Sequence, residues 1–221
     1  MALFHFVFDL ELFGYLPPGT VALPGLWAIF ARIVAGSFLF LAGVSLVLAH
    51  GDGIRWQAFL RRLAVVSGAA LAISLATYVA IPGQFIYFGI LHAIATFSVI
   101  GLLFLRLPII ATLAVAGVVI LLPSPLAIPV MQSPWLSWLG LSSVRASSMD
   151  FVPLFPWLGA LLAGIAFSKT VKASPLWPPF SRPPGALLHR LTWPGRHSLA
   201  IYLLHQPILM GLIWISTWMI R

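Results

Sequence analysis

The chain has 221 residues, 61% of them hydrophobic and only 7% charged, with a mean hydropathy of +1.07. A soluble globular chain carries roughly 25% charged residues, and no soluble fold of this size has enough interior to hide so much apolar surface. The net charge of +8 does not point to nucleic acid, because the Lys and Arg residues sit in short stretches between apolar runs and so act as a topology signal.

The apolar runs alternate with turn and charge signals from the first residue. Residues 1–15 form the distal part of a first helix, shorter than a full span, without the basic start or small-residue cleavage site of a signal peptide. An uncharged loop over 16–24 follows, with Pro17, Pro18, Gly19 and Pro24. Spans are then predicted over 26–49, 63–81, 85–105, 108–122 (a short one), 151–167 and 198–220, each near the roughly 20 residues that cross a bilayer. Pro82 and Gly83 make a tight turn. A Pro-rich loop over 123–150 offers Trp135 and Trp138 as interface anchors, and a basic, Pro- and Trp-rich stretch covers 169–196. The fold class is all-α, a polytopic transmembrane bundle of about seven spans with an incomplete first helix, in a single membrane domain over 1–221.

Charge sets the orientation. The stretches after the second, fourth and sixth spans hold Arg55, Arg61, Arg62, Arg106, Lys169, Lys172, Arg182, Arg190 and Arg196, whereas the opposite side holds Arg145 and Arg221. The positive-inside rule places the first group, and the N-terminus, in the cytoplasm. There is no cysteine, so neither a disulfide framework nor a Cys-based metal site is available. No ligand spacing for a metal is present.

Ionisable groups inside spans are costly and tend to face the bundle interior. His5 and Asp9 are spaced i, i+4, which puts them on one helix face. The carboxylate can orient the imidazole, or the two can form a helix-to-helix hydrogen-bonded pair without chemistry. Arg32 lies within the second span, where it can neutralise Asp9 or Glu11 or grip a substrate oxygen. His92, in FGILHAIATF, suits either an interior hydrogen bond or a catalytic role. Asp150 is expected to cap the sixth span and can also bind substrate. Pro153 and Pro156 predict a break in that helix. His205 and Gln206 fall mid-span beside Pro207, and Arg196 with His197 stands at the entrance to the last span. His5, Asp9, His92 and His205 are the candidate catalytic groups, and Arg32, Asp150, Gln206 and Arg196 the candidate substrate-binding groups. A shared polar cavity would be cheaper than several isolated buried groups. Its chemistry stays open between general acid/base work and proton relay.

In order along the chain, HFVFDLELFG, ARIVAGSFLFLAGVSLVLAH, FGILHAIATF, MDFVPLFPWLGALLAGI and GRHSLAIYLLHQPIL resemble segments of the bacterial branch of the heparan-alpha-glucosaminide N-acetyltransferase catalytic-domain family. The resemblance runs from Met1 to about Ile213, and the last two motifs are its most specific part. It implies an acyltransferase that takes an acetyl group from cytosolic acetyl-CoA to an amino sugar, glycan or glycolipid of the cell envelope, in a bacterial inner membrane. Its implied partners are lipid, the acyl-CoA donor and the glycan acceptor, and a homo-oligomer is compatible with it. The family's Arg-Gly motif would fall upstream of Met1, so the first helix reads as truncated. The lumenal His of the animal enzymes has no match in 16–24. Two other readings remain, a proton-coupled permease and an inactive structural membrane protein.

Overall fold

In the computed structural model the described residues are 2–17, 19–21, 25–122, 133–143, 147–175 and 192–220. Seven helices carry them: α1 (Ala2–Leu12), α2 (Leu26–His50), α3 (Trp56–Ala80), α4 (Ile90–Phe104), α5 (Ile109–Leu121), α6 (Leu154–Lys172) and α7 (Ser198–Ile220), with a single helical turn at Trp193–Arg196. The chain is an all-helical integral membrane protein. By length and composition α2, α3, α6 and α7 suffice to cross a membrane, while α4 and α5 are apolar but shorter. Large apolar side chains stand open, including Leu26 at 85%, Val79 at 82% and Ile110 at 82% exposure. Water would penalise such faces at roughly 25 cal/mol per Å², and lipid would not.

The residues pack as two compact units, Met1–Ala35 with Ser181–Arg221, and Gly36–Phe180. In the first, α1 and α7 run parallel, since His5 meets His205, Asp9 meets Gln206 and Tyr15 Oη lies 2.9 Å from Thr217 Oγ1. Parallel packing is what the first and seventh members of an alternating series require.

The second unit is built around α6, which buries Leu158, Leu161, Leu162 and Ile165. Small residues bring its neighbours close, as in membrane helix packing generally. A Cβ on Gly43 of α2 would overlap the Leu161 carbonyl oxygen, and one on Gly164 of α6 would overlap the Phe40 carbonyl oxygen. Gly101 of α4 admits the Leu46 and Leu161 side chains, at 2.8 and 3.1 Å from where its Cβ would stand. Gly159 similarly receives Ile120 of α5. At one end of α2 Gly36 faces Trp157 and at the other Asp52 pairs with Lys172, whereas Ile120 of α5 meets Gly159 and Leu107, just before α5, accepts from Lys169. α2 and α6 are therefore parallel and α5 is antiparallel to α6, as alternation predicts.

Three boundaries differ from the sequence expectation. α3 begins at Trp56, so Arg61 and Arg62 ride on its first turns rather than in a loop. Arg is a good helix former, and its stem can lie along apolar surface. α4 begins at Ile90 because the residues before it pair with those before α6. The Met149 N–H donates to the Gln84 carbonyl at 3.1 Å and the Val152 N–H to the Phe88 carbonyl at 3.0 Å, forming one parallel bridge between Phe88 and Phe151. α6 extends to Lys172, so Lys169 and Lys172 lie on its last turn. The expected break is present at Phe155, whose φ of −94° and ψ of 128° leave the helical region. The Pro-rich loop lies largely outside the described residues. In its described part Trp135 is 83% exposed, whereas Trp138 packs on Phe88 with ring centres 5.8 Å apart.

Candidate functional site

α1 is short, and only Asp9 on it is buried. A buried carboxylate needs partners, and α7 supplies one. The Gln206 Nε2 amide donates to Asp9 Oδ1 at 2.7 Å. One turn away the His5 and His205 rings meet edge to face, with centres 5.0 Å apart and planes at 65°. The i, i+4 spacing thus does place His5 and Asp9 on one face, the face toward α7. The carboxylate, however, bonds across to Gln206, and the ring of His5 finds His205.

His205 has a defined orientation. Its Nδ1 lies 2.6 Å from the Tyr202 carbonyl oxygen, which can only accept. Nδ1 therefore carries the proton and, in the neutral ring, Nε2 holds a lone pair. That Nε2 is buried and has no hydrogen-bond partner among the described residues, and the same holds for Asp9 Oδ2 and Gln206 Oε1. Native proteins rarely leave such atoms unpaired, and here three of them stand on two contacting helices. All three accept hydrogen bonds when Asp9 is ionised. Any group that satisfied them would have to donate N–H or O–H, as an amine, a hydroxyl or water does.

Arg32 lies in the same unit, but its side chain is exposed. Among the described residues it forms no ion pair with Asp9 or Glu11. Glu11 instead accepts from the Gly19 N–H at 2.5 Å and the Val21 N–H at 2.9 Å, folding the turn after α1 back on itself. Backbone N–H groups that the Pro-rich turn leaves unpaired take the place the guanidinium was expected to fill. The side chain of Arg196 lies outside the described residues.

In the second unit His92 is saturated. The Gly89 N–H donates to Nδ1 at 3.3 Å, so Nε2 carries the proton and faces Ser74 Oγ at 3.2 Å. The Ser74 hydroxyl in turn donates to the Ile86 carbonyl at 2.7 Å. This closed chain fixes the extended stretch before α4 onto α3. Ser74, which sequence reasoning passed over, differs from other small residues of its span only in this pairing.

Asp150 caps a helix, but not the one expected. Its Oδ2 accepts from the Ile90 N–H at 2.8 Å, at the start of α4, while the cap position of α6 is Pro153. The parallel bridge before the two helices carries the carboxyl to α4, whose first N–H groups need a partner. Asp150 lies outside the spanning helices, and burial, opposed by the Ile90 hydrogen bond, pushes its pKa from the ordinary 3.8 up to about 6. A raised carboxyl pKa means the folded state holds the proton more tightly. The stabilisation is complete below about pH 3.8 and is lost as pH rises through 6. We expect the unfolding midpoint in detergent to fall from pH 4 to pH 7 by the equivalent of about 1–2 kcal/mol, less than the full shift because the group is half-buried. Asp150→Asn keeps the acceptor oxygen and should flatten that slope.

A family model described as heparan-alpha-glucosaminide N-acetyltransferase, catalytic, matches residues 1–207. No curated protein matches the chain, and no solved structure does.

Proposed function

We propose, starting from the fact that the chain belongs to the heparan-alpha-glucosaminide N-acetyltransferase catalytic family, that it acetylates an amino group of a cell-envelope glycan or glycolipid with cytosolic acetyl-CoA as donor. The observation that carries this reading is the trio of unpaired buried acceptors, Asp9 Oδ2, His205 Nε2 and Gln206 Oε1. An ammonium has three N–H donors, and three acceptors within one cluster match it better than they match a single hydroxyl.

In this reading Asp9 and Gln206 orient the acceptor nitrogen. His205 Nε2 removes a proton from it while Tyr202 holds the opposite N–H in place. Once the ammonium has released one proton to water, the neutral amine attacks the thioester carbonyl carbon as His205 takes this second N–H proton, the C–S bond breaks, and the departing thiolate takes that second proton back from His205. His5, edge-on to His205, shields the ring and sets its tilt. Arg32 and Arg196 are proposed to contact substrate oxygens, and His92 and Asp150 to hold the backbone around α4. The membrane is a bacterial inner membrane with the N-terminus in the cytoplasm, so the basic stretches face the CoA pool and can attract its phosphates.

The test uses the full chain in lipid nanodiscs with labelled acetyl-CoA and an amino-sugar acceptor. N-acetylated product should appear together with an equal amount of free CoA thiol. Thiol release that is the same with and without any acceptor, with no acetylated product, would count against transfer. Uptake of a solute into proteoliposomes without covalent change would favour the permease reading instead.

A further inference from the structure

Within the second unit, the end where α2, α4 and α6 finish is strongly cationic. Arg55, Arg61, Arg62, Arg106, Lys169 and Lys172 gather there, and Asp52 is the one carboxylate in that part of the sequence. Topology alone accounts for the sign of this charge. It does not account for a basin of about 290 Å³ at the same place, lined by Val47, Asp52, Leu105, Lys169 and Lys172.

The two ammonium groups of the basin are set up differently. Lys169 Nζ donates to the Phe104 carbonyl at 2.6 Å and the Leu107 carbonyl at 2.7 Å. It thereby cancels the carbonyl dipoles at the end of α4, which would otherwise repel an anion. Lysine has three N–H donors, so one remains after these two bonds. Lys172 Nζ lies 2.5 Å from each oxygen of Asp52. That aspartate sits in the turn after α2 with its side chain 88% exposed, while the lysine side chain is 28% exposed. An ion pair with so much solvent on the carboxylate side is weak. A phosphate brings more charge and more acceptor oxygens to the same ammonium.

We propose that this basin is a phosphate subsite in which Lys172 makes the main contact, Lys169 the second, and Asp52 is a built-in competitor displaced on binding. The ligand is a phosphate-bearing anion, either a diphosphate on a soluble nucleotide-type donor or the headgroup of an anionic phospholipid. Binding as such does not depend on acetyl transfer, whereas assigning the phosphate to the acyl donor rests on the function proposed above.

The experiment places the full chain in zwitterionic-lipid nanodiscs and titrates inorganic pyrophosphate. A second arm titrates phosphatidylglycerol into the nanodisc. Pyrophosphate affinity should fall about tenfold or more in Lys172→Gln, hold within about threefold in Lys172→Arg, and rise several-fold in Asp52→Asn, where the competitor is gone. The gain in Asp52→Asn keeps the proposal open to test even where Lys172→Gln folds poorly. The same pattern for phosphatidylglycerol alone identifies the headgroup as the ligand and upholds the subsite. Affinities for both probes that are unchanged in Lys172→Gln and Asp52→Asn overturn it. Acetyl-CoA turnover measured on the same samples separates the two ideas, since absent turnover with an intact pyrophosphate response rejects transfer and leaves the basin standing.

Discussion

His205→Ala is expected to lower acetyl transfer by about 10²- to 10⁴-fold, the range that a positioned general base of the proposed kind contributes. The loss falls on kcat more than on KM, because the lone pair at Nε2 matters most as the proton moves. The structural basis is the fixed tautomer. With Nδ1–H held 2.6 Å from the Tyr202 carbonyl, Nε2 is the nitrogen left to act, and it has no competing partner among the described residues. Gln206→Leu should act differently. It removes the hydrogen bond to Asp9 and leaves a buried carboxylate unpaired, which costs stability as well as substrate affinity. Steady-state kinetics on the two purified variants, beside an unfolding curve for each, distinguishes base from positioner. A His205→Ala protein that turns over at the original rate would remove the base assignment.

Gly164→Ala destabilises the bundle by about 3 kcal/mol, the upper end of the usual cost of overpacking. A single added methyl has no room, since it would overlap the backbone oxygen of Phe40, and backbone cannot swing aside as a side chain can. α2 and α6 must separate along their contact, loosening Leu39, Leu161 and Leu162, all of which are fully buried. Gly68→Ala in α3 is the matched control. Nothing lies within 4 Å of its added Cβ, so the substitution should stabilise by about 0.5–1 kcal/mol through helix propensity alone. Mixed-micelle unfolding of both variants reads the difference. Equal effects would mean that the close crossing of α2 and α6 contributes little to stability.

Much of this architecture was legible in the chain before any coordinates. The apolar runs gave seven helices, and charge counting gave an alternation that the parallel and antiparallel packing obeys. Helix ends were the weak point, for a physical reason. Hydropathy marks where lipid is, not where helical hydrogen bonding stops, so Arg61 and Lys169 were assigned to loops although both sit on helices. At the site, spacing alone put His5 and Asp9 on one face, and the polar character of His205 and Gln206 marked the last helix. Which atom bonds which could not be read. Asp9 choosing Gln206, and Asp150 reaching Ile90 across sixty positions, depend on helix neighbours that no local pattern encodes. Arg32 shows the converse, where an expected charge partner was satisfied by nearby backbone instead.

The pairing of α1 with α7 has a consequence for biogenesis. Asp9 and Gln206 are 197 positions apart, so the ribosome must add all of the intervening residues before the buried carboxylate meets its amide. Until then α1 waits in the lipid, or beside the insertion machinery, with its polar side chains unsated. Assembly of the cluster therefore follows insertion of α1, and α7 serves as the partner that makes α1 tolerable to the bilayer.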